Sequence, residues 1–574
     1  MAIAQTQAAI CAQPYGQQWV GYWGVGDTAG LSQRLQTLVK QHGGLWKIVD
    51  ATDTLTLGLS ASGIHHQKDA WVNAQRDRLT LEREAFGRVG LYWVQSEQAI
   101  WFASRWQWLL PLVKPAIDVS GLYGYSCFSY VPTPLTPVEQ IAAIPAGTEK
   151  FWQFDEQGQL CSKDRDCTQW QQPFEQLDDE QEAIAQLQSL LMSSVSKRIS
   201  DLSSDEPVGV LLSGGLDSSI VAALLVQAGM KVRAYTLDFG EYGVSELPYA
   251  QQVARSLGIP LTLVDASPKR IKQAMVPAIQ ALDLPFGDGV TVPLFLLSQA
   301  ASQETRIVFN GEGGDQLFAG WTNKPLIAAR LYQAEHPTRE QPLIQQYMST
   351  FHRLWGYEQQ AFQPDTLAQV QKLRPEQWIE DALSSPTVSA FMHRMRRASV
   401  MLKGAQNIHL RATNLAFSQG LSVRSPFCDL PLARWTFRVS GELFLQGSCE
   451  KYILKRAVED WLPAEIVWRR KRGMGVPMTP WCIGEWRRSL GSWLNPDRLQ
   501  AEGHWQPDLA AKIAFGEFSG MIQGRRIGEI LWLLIAWELW RSHVLKDPAS
   551  QGVYRSLRHP FWLPNQLRRY RKWL

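Results

Sequence analysis

The chain has 574 residues with 57 Lys or Arg against 54 Asp or Glu, a balance too even for a protein whose body binds a polyanion such as nucleic acid. A hydrophobic fraction of 45% and a charged fraction of 19% match ordinary globular usage, and neither a compositional bias nor a repeat indicates disorder or a solenoid. Seven cysteines without a CxxC pair argue against both a disulfide framework and a zinc site.

The chain begins without the charged and apolar segments of a secretory signal, so we expect a cytoplasmic protein. Residues 78–103 contain β-rich pieces with polar and glycine breaks, a pattern that predicts an antiparallel sheet. Between residues 154 and 183 the composition turns polar. We therefore predict a domain boundary near residue 175, which gives a first domain of residues 1–175 and a second of residues 176–574.

The second domain is predicted to begin with a helix and to continue as alternating strands and helices. Apolar residues recur at helical spacing in residues 184–195, behind Asp178 and Asp179, which suit a helix N-terminus. Strands are predicted at residues 208–212, 232–237, 261–264 and 307–309, and helices at residues 218–228 and 246–257. This alternation predicts a parallel α/β sheet.

The second half of this domain is predicted to be helical, with long helices at residues 398–420 and 526–545. The longest apolar run, Ile530 to Trp537, is too short to span a bilayer, which takes about 20 residues, and it predicts a buried helix. A basic and aromatic stretch at residues 568–573 could contact a membrane surface or nucleic acid, but we favour a solvated tail.

A glycine turn joins the predicted strand at residues 208–212 to the helix that follows it. Within Ser213–Ser219, Gly214 and Gly215 would let the backbone come close to an anion. Hydroxyl groups accompany them beside a helix N-terminus, whose free N–H groups favour phosphate. The hydroxyl residues are Ser213, Ser218 and Ser219. The segment predicts a pyrophosphate site, although Ser-Gly-Gly can also form a simple tight turn.

An acid lies inside this turn. Asp217 would repel a phosphate unless a cation bridges the two, so its presence predicts a magnesium ion that holds two phosphate groups. ATP is therefore the expected ligand. The chain contains no GxxxxGK[ST] loop, which makes this a different kind of nucleotide site.

Two further acids are bracketed by glycines after the predicted strand at residues 307–309. This segment, Asn310–Trp321, contains Glu312 and Asp315. In α/β sheets, substrates bind in the crevice at the carboxyl ends of the strands. We therefore expect both acids to face the same crevice as the glycine turn.

These segments carry a family resemblance. Ser213–Ser219 matches the SGGLDSS pyrophosphate loop of asparagine synthetases and N-type ATP pyrophosphatases, and residues 310–321 resemble the GEGxDE(L/V)FGGY motif of asparagine synthetases. Further stretches align at residues 245–258, 411–429, 450–456 and 469–477. The resemblance covers about residues 180–545 and implies an adenine nucleotide α-hydrolase-like parallel-sheet domain with a helical second half.

The resemblance also implies a reaction and roles for residues. A small-molecule carboxylate would attack the α-phosphorus of ATP and expel pyrophosphate, and ammonia or an amine, on a peptide substrate in one version, would then displace AMP from the acyl-adenylate. By family position Glu312 lies near the acceptor, Asp217 and Asp315 near magnesium, and Lys451 near the phosphates. The implied phosphate-binding residues are Ser213, Gly214, Gly215, Asp217, Ser218, Ser219, Gly311 and Lys451. The resemblance allows a homodimer, and it assigns no chemistry to residues 469–477.

Three stretches of the first domain, residues 83–92, 102–104 and 141–147, resemble the class-II glutaminase domain of asparagine synthetases, which implies an Ntn-type α+β sandwich. That class uses a cysteine at the chain start as its nucleophile. Val20 occupies the corresponding place, and no counterpart of the glutamine-pocket motifs occurs in residues 26–77. Cys11 could serve only after cleavage just before it. We expect a degenerate domain that does not hydrolyse glutamine.

Three functions remain open. The first is synthesis of asparagine from aspartate, which is the commonest activity in the family. The second keeps the chemistry but acts on a peptide or specialised metabolite, as in relatives that close macrolactam or β-lactam rings. The third is a silent nucleotide-binding regulator, which is disfavoured because the acids and Lys451 are all present.

Overall fold

The fold is that of a computed structural model of the chain. The described residues are 6–12, 18–25, 28–42, 47–51, 54–62, 68–96, 99–157, 159–168, 170–242, 246–320, 343–471, 473–517 and 525–551. Within these ranges no helix is both long and apolar enough to cross a membrane. The basic stretch at residues 568–573 and residues Met1 and Ala2 lie outside them.

The first domain consists of two antiparallel sheets. Its strands are β1 (Thr6–Ala12), β2 (Trp19–Val25), β3 (Lys47–Ala51), β4 (Thr54–Leu59), β5 (Ala70–Gln75), β6 (Arg78–Arg83), β7 (Tyr92–Gln95), β8 (Ala99–Ala103), β9 (Ala142–Ala143), β10 (Thr148–Phe154) and β11 (Leu160–Asp166). One sheet has the order β3-β1-β2-β8-β7-β9 and the other has the order β11-β10-β6-β5-β4. Helices α1 (Thr28–His42) and α2 (Val119–Phe128) complete the domain.

The two sheets share a hydrophobic core. In β6 every second residue is buried, which directs Leu79 and Leu81 into the core beside Trp152 of β10, and Ile100 and Phe102 of β8 belong to the same cluster. The β-rich pieces at residues 78–103 are therefore antiparallel as predicted, but they divide between two sheets, because β6 pairs with β5 and β10 whereas β7 pairs with β8. This is the predicted α+β sandwich.

The second domain is built around a five-stranded parallel sheet. Its strands are β12 (Pro207–Leu211), β13 (Lys231–Asp238), β14 (Leu261–Asp265), β15 (Ile307–Phe309) and β16 (Ser422–Arg424), in the order β14-β13-β12-β15-β16. Connecting helices are α3 (Glu180–Ile199), α4 (Leu216–Gln227), α5 (Leu247–Leu257), α6 (Pro268–Ala281), α7 (Thr291–Ala301) and α8 (Gly314–Leu317). Four of the strands match the predicted segments, and β16 was not predicted.

The strand order places a topological switch at the centre of this sheet. From β12 the chain moves outward through β13 to β14, and it then returns to the other side of β12 as β15. Parallel α/β sheets bind ligands at the carboxyl ends of the strands beside such a switch. The two glycine-containing segments, which follow β12 and β15, therefore meet at this point.

The rest of the domain is largely helical where the structure describes it, as predicted. Its helices are Leu343–Ser349, Glu358–Ala361, Pro364–Val370, Gln377–Leu383, Phe391–Ser399, His409–Phe417, Leu430–Arg438, Tyr452–Ala457, Ala464–Val467, Met478–Pro480, Arg487–Trp493, Pro496–Glu502, Leu509–Ala514 and Arg525–Trp540, with π-helical segments at Val400–Ile408, Trp481–Glu485 and Arg541–Leu545. A two-stranded ribbon, Leu445–Gln446 with Cys449–Glu450, precedes Lys451. The apolar run from Ile530 to Trp537 is fully buried within its helix, as predicted.

Candidate functional site

The glycine turn after β12 is shaped by close packing. Gly214 has a φ of +70°, and a Cβ atom there would lie 2.4 Å from the backbone nitrogen of Ala250 in α5. Both facts require glycine at this position. Gly215 then forms the N-cap of α4, so the free N–H groups of this helix point toward the end of β12.

The three serines of the turn differ in their surroundings. Ser213 Oγ accepts a hydrogen bond from the Gly215 N–H at 3.2 Å and lies 3.2 Å from Ser218 Oγ. Both of these serines line a cleft at the carboxyl ends of β12 and β15. Ser219 is fully buried and donates its hydroxyl hydrogen to the Gly215 carbonyl at 2.8 Å, so its hydroxyl is engaged within α4.

Two aspartates and two lysines form an ion-pair cluster, in which Asp217, Asp315 and Lys471 line the same cleft. The Lys451 ammonium lies 2.6 Å and 2.5 Å from the two carboxylate oxygens of Asp217, and 2.5 Å from Oδ1 of Asp315. The Lys471 ammonium lies 2.7 Å from Oδ2 of Asp315. The structure thus brings together predicted residues from three separate segments and adds Lys471.

Glycines let these segments approach each other. A Cβ atom on Gly311 would lie 2.7 Å from the Ser218 backbone nitrogen, and one on Gly314 would lie 2.5 Å from the carboxyl carbon of Asp217. A Cβ atom on Gly320 would overlap the Lys451 side chain. Because only glycine lacks this atom, the segment after β15 can lie directly against the N-terminus of α4.

Glu312 lies at the end of β15, next to this cluster. Its N–H donates to Asn310 Oδ1 at 3.2 Å, and the same oxygen accepts a hydrogen bond from Ser425 at 2.8 Å. Burial raises the pKa of Glu312 to about 7, and the negative charge of Asp315 adds to this shift while Arg411 opposes it. A carboxyl group with this pKa can exchange a proton near neutral pH.

The pKa values of the two aspartates shift in opposite directions. Burial opposes ionisation of Asp315, but the Lys451 and Lys471 cations outweigh it and lower its pKa to about 2. Burial raises the pKa of Asp217 despite its contact with Lys451. Oxygen ligands of this type are the ones that magnesium prefers, and the two carboxylates converge on one point, so the residues present fit a magnesium ion.

The cleft around these residues has room for a small ligand. Its free volume is about 230 Å³. The polar end carries the serines, Asp217, Glu312, Asp315 and Lys471, and the walls add apolar groups. The apolar lining residues are Leu211, Leu212, Leu237, Phe239, Leu294, Leu297 and Met474. A polar, charged end beside apolar walls suits a nucleotide, whose phosphates and base differ in polarity.

Lys471 and Met474 come from the stretch at residues 469–477, to which the sequence assigned no chemistry. Arg469 of the same stretch stacks on Tyr249, with its guanidinium carbon 3.6 Å from the ring centroid, and donates to the Gly214 carbonyl at 3.4 Å. The stretch therefore packs over the glycine turn after β12. In the sequence, only the resemblance of residues 469–477 to the family motif pointed to Lys471 and Met474, because the residues they contact lie far away in the chain.

The position predicted for a glutaminase nucleophile lies inside a sheet. Val20 belongs to β2, where it pairs with Cys11 of β1 and Ala103 of β8. Its side chain is 1% exposed and belongs to a hydrophobic core cluster. The side chain of Cys11 and parts of residues 26–77 are outside the described set.

Two family models match this chain, one in each of its two parts. A family model for asparagine synthase matches residues 186–542, and a model for a glutamine amidotransferase domain matches residues 70–163. The chain is 22% identical to the glutamine-hydrolyzing asparagine synthetase 1 of Bacillus subtilis, over 80% of this chain and 74% of the relative. It is 25% identical to a Mycobacterium tuberculosis protein whose name provisionally assigns the same activity, over 82% and 75% of the two chains.

Among solved structures, the NH3-dependent NAD synthetase of Campylobacter jejuni matches with a TM-score of 0.19 and 14% identity, covering 37% of this chain and 100% of that one. The asparagine synthase match extends over more than half of the chain and includes Asp217, Glu312, Asp315, Lys451 and Lys471. The chain therefore belongs to the asparagine synthase family, and it is an ATP-dependent amide-forming ligase.

Proposed function

We propose that this ligase activates a carboxylate as an acyl-adenylate in the cleft between β12 and β15, and that it releases AMP and pyrophosphate. The observation that carries the proposal is the cluster of Asp217, Asp315, Lys451 and Lys471 beside the glycine turn. Splitting the reaction in this way replaces a poor hydroxide leaving group by AMP. The triphosphate would lie on the N-terminus of α4, where N–H groups and serine hydroxyls can donate to it.

Asp217 and Asp315 would hold a magnesium ion, which when bound neutralises charge on the phosphates. Lys451 and Lys471 would take up the negative charge that develops on the departing pyrophosphate, because fixed cations in a buried site stabilise such charge without reorganisation. The positive end of α4 acts in the same sense. Glu312 would accept a proton from the attacking amine, for which its pKa of about 7 is suited.

The products of ATP test this chemistry. Purified protein is incubated with ATP, magnesium, ammonia and aspartate, and the nucleotides are separated by chromatography. We expect AMP and pyrophosphate in equal amounts, formed only when the carboxylate is present. ADP and orthophosphate would contradict the proposal, and binding of ATP without any cleavage would favour the silent nucleotide-binding alternative.

Aspartate is our default acceptor and asparagine the default product. The relatives in the comparisons are named asparagine synthetases, and the match covers about three quarters of their length. The acceptor region departs from the family motif at Gln316 and Ala319. This departure keeps the second candidate, ring closure on a peptide or specialised metabolite, as the alternative. Carboxylate-dependent pyrophosphate release with aspartate distinguishes the two.

We further propose that the first domain does not hydrolyse glutamine, so that ammonia or an amine on the substrate supplies nitrogen. Val20 supports this, because a buried valine flanked by two paired strands offers neither a nucleophile nor a free α-amino group. The assay is glutamate release from glutamine, together with the mass of the mature N-terminus. Glutaminase activity that a thiol-alkylating glutamine analogue abolishes would refute the proposal.

The domain division near residue 175 is part of the same proposal. Helix α3, with Asp179 as its N-cap, packs against Tyr452–Ala457 and Leu430–Arg438 of the second domain. Strand β11 ends at Asp166 in the first domain. These two elements support a boundary between residues 167 and 179. Limited proteolysis followed by mass spectrometry should cut within residues 167–179 before it cuts elsewhere in the described part of the chain.

A further inference from the structure

Lys451 lies where two metal ligands meet. Its ammonium contacts both oxygens of Asp217 and one oxygen of Asp315 at 2.5 to 2.6 Å. A divalent cation that used both carboxylates would have to occupy the same space between them. The ammonium and such a cation therefore exclude each other, both sterically and by like charge.

The lysine is held firmly in this position. Its side chain is 3% exposed, and Gly320 packs against its methylene groups. Its backbone has a φ of +55° at the start of the helix Tyr452–Ala457, an unusual conformation for a residue other than glycine. The aspartates are fixed as well, since Gly314 packs against the Asp217 carboxylate and Lys471 contacts the second oxygen of Asp315.

We propose that Lys451 is a place-holding cation, which occupies the metal position of the nucleotide-free protein and leaves it only when phosphate oxygens offer the ammonium a replacement partner. This inference rests on the proposed function for the identity of the metal and the nucleotide. It adds a coupling between them. A divalent cation that binds alone must displace Lys451 from two carboxylates that the lysine already neutralises. A metal that binds together with a triphosphate replaces both sets of contacts, because the phosphate oxygens become partners of Lys451 and the metal becomes the partner of the aspartates.

The test measures metal binding and requires no turnover. Mn²⁺ is titrated into nucleotide-free protein and followed by electron paramagnetic resonance of the free ion. Lys451→Met keeps most of the side-chain volume and removes the charge. We expect this variant to bind Mn²⁺ at least about tenfold more tightly than the wild type, because a cation that competes for both carboxylates is gone.

Two variants define the position of the effect. Lys455→Met is the matched control, since Lys455 lies one helical turn further on, is equally buried and contacts Cys449 and the Arg469 carbonyl instead of Asp217 or Asp315. It should bind Mn²⁺ like the wild type. Asp217→Asn combined with Lys451→Met should lose the gain, because it removes one of the two carboxylates.

Equal Mn²⁺ affinity of Lys451→Met and the wild type would overturn the proposal, as would an equal gain in the Lys455→Met control. If Lys451→Met does not fold, the wild type still decides. Mn²⁺ binding that is as tight without nucleotide as with α,β-methylene-ATP would also overturn it. These measurements are independent of the products of ATP, so a failure of the proposed adenylation chemistry would be seen separately.

Discussion

Replacement of Gly314 by alanine should disable the site by moving a single carboxylate. A Cβ atom at this position would lie 2.5 Å from the carboxyl carbon of Asp217 and 2.6 Å from its Oδ1, whereas ordinary contacts begin near 3.4 Å. Gly314 has no left-handed backbone conformation, so the substitution adds steric pressure and little else. Asp217 or the segment after β15 must therefore retreat by about 1 Å.

The expected loss follows from this distance. A misplacement of about 1 Å in a catalytic site can reduce turnover about a hundredfold. The free energy of unfolding should fall by only about 1–3 kcal/mol, as is usual when one methyl group is added to a packed region. Activity should thus fall far more than stability. A stopped assay for AMP and pyrophosphate measures the rate, and thermal unfolding followed by circular dichroism measures the stability.

Gly484→Ala provides the matched control. This glycine lies in the π-helical segment Trp481–Glu485, and an added Cβ atom would meet no other atom within 4 Å. The variant should retain the rate of the wild type. If Gly314→Ala turned over like the wild type while it folded normally, the close contact between Gly314 and Asp217 would have no functional role, and our assignment of Asp217 would lose its main geometric support.

Three further predictions test other parts of the protein. At a fixed concentration of free amine, turnover should rise with pH through about 7, because Glu312 must be ionised to accept a proton. Glu312→Gln should lose this rise. A variant with the same pH profile as the wild type would contradict the assigned role. Lys471→Met should lower turnover by about a hundredfold or more, since it removes a cation facing Asp315, and a rate near that of the wild type would show that Lys451 suffices. Val20→Cys should not create glutaminase activity, because position 20 is buried between β1 and β8, and glutamate release by this variant would refute that argument.

The sequence located the two glycine-containing segments that line the cleft because their signals are local. Glycines and acids cluster within a few residues after β12 and β15. The need for a sharp turn and a cation-binding acid can therefore be inferred from each segment by itself. The structure adds the reason for Gly311 and Gly314, which is the approach of one segment to the other. Local patterns carry no information about such a contact.

The parts that the sequence missed depend on contacts over long distances in the chain. Lys451 contacts Asp217 across 234 residues, and only the family resemblance pointed to it. Lys471 and Met474 join the cleft through the same kind of contact. Strand β16 is three residues long and follows a long helical pattern, so it offered too few residues for any strand periodicity.

The first domain makes buried polar contacts with the second domain. Arg83 is 1% exposed and donates to carbonyl groups of its own domain and, at 3.4 Å, to the Ala405 carbonyl of the second domain. His409 Nδ1 lies 2.7 Å from the Phe86 carbonyl, and burial lowers the pKa of this histidine to about 4, so the neutral ring donates.

The parallel sheet is tied to the first domain as well, because the Val423 N–H in β16 donates to the Ala61 carbonyl at 2.8 Å. Each buried group that loses such a partner costs about 1–3 kcal/mol. His409 begins the helix that carries Arg411, and Arg411 is one of the charges that act on Glu312. Removal of the first domain would therefore leave unpaired polar groups beside the ligase site itself. Because none of these contacts involves Val20, the proposed absence of a glutaminase nucleophile is compatible with a structural role for the first domain.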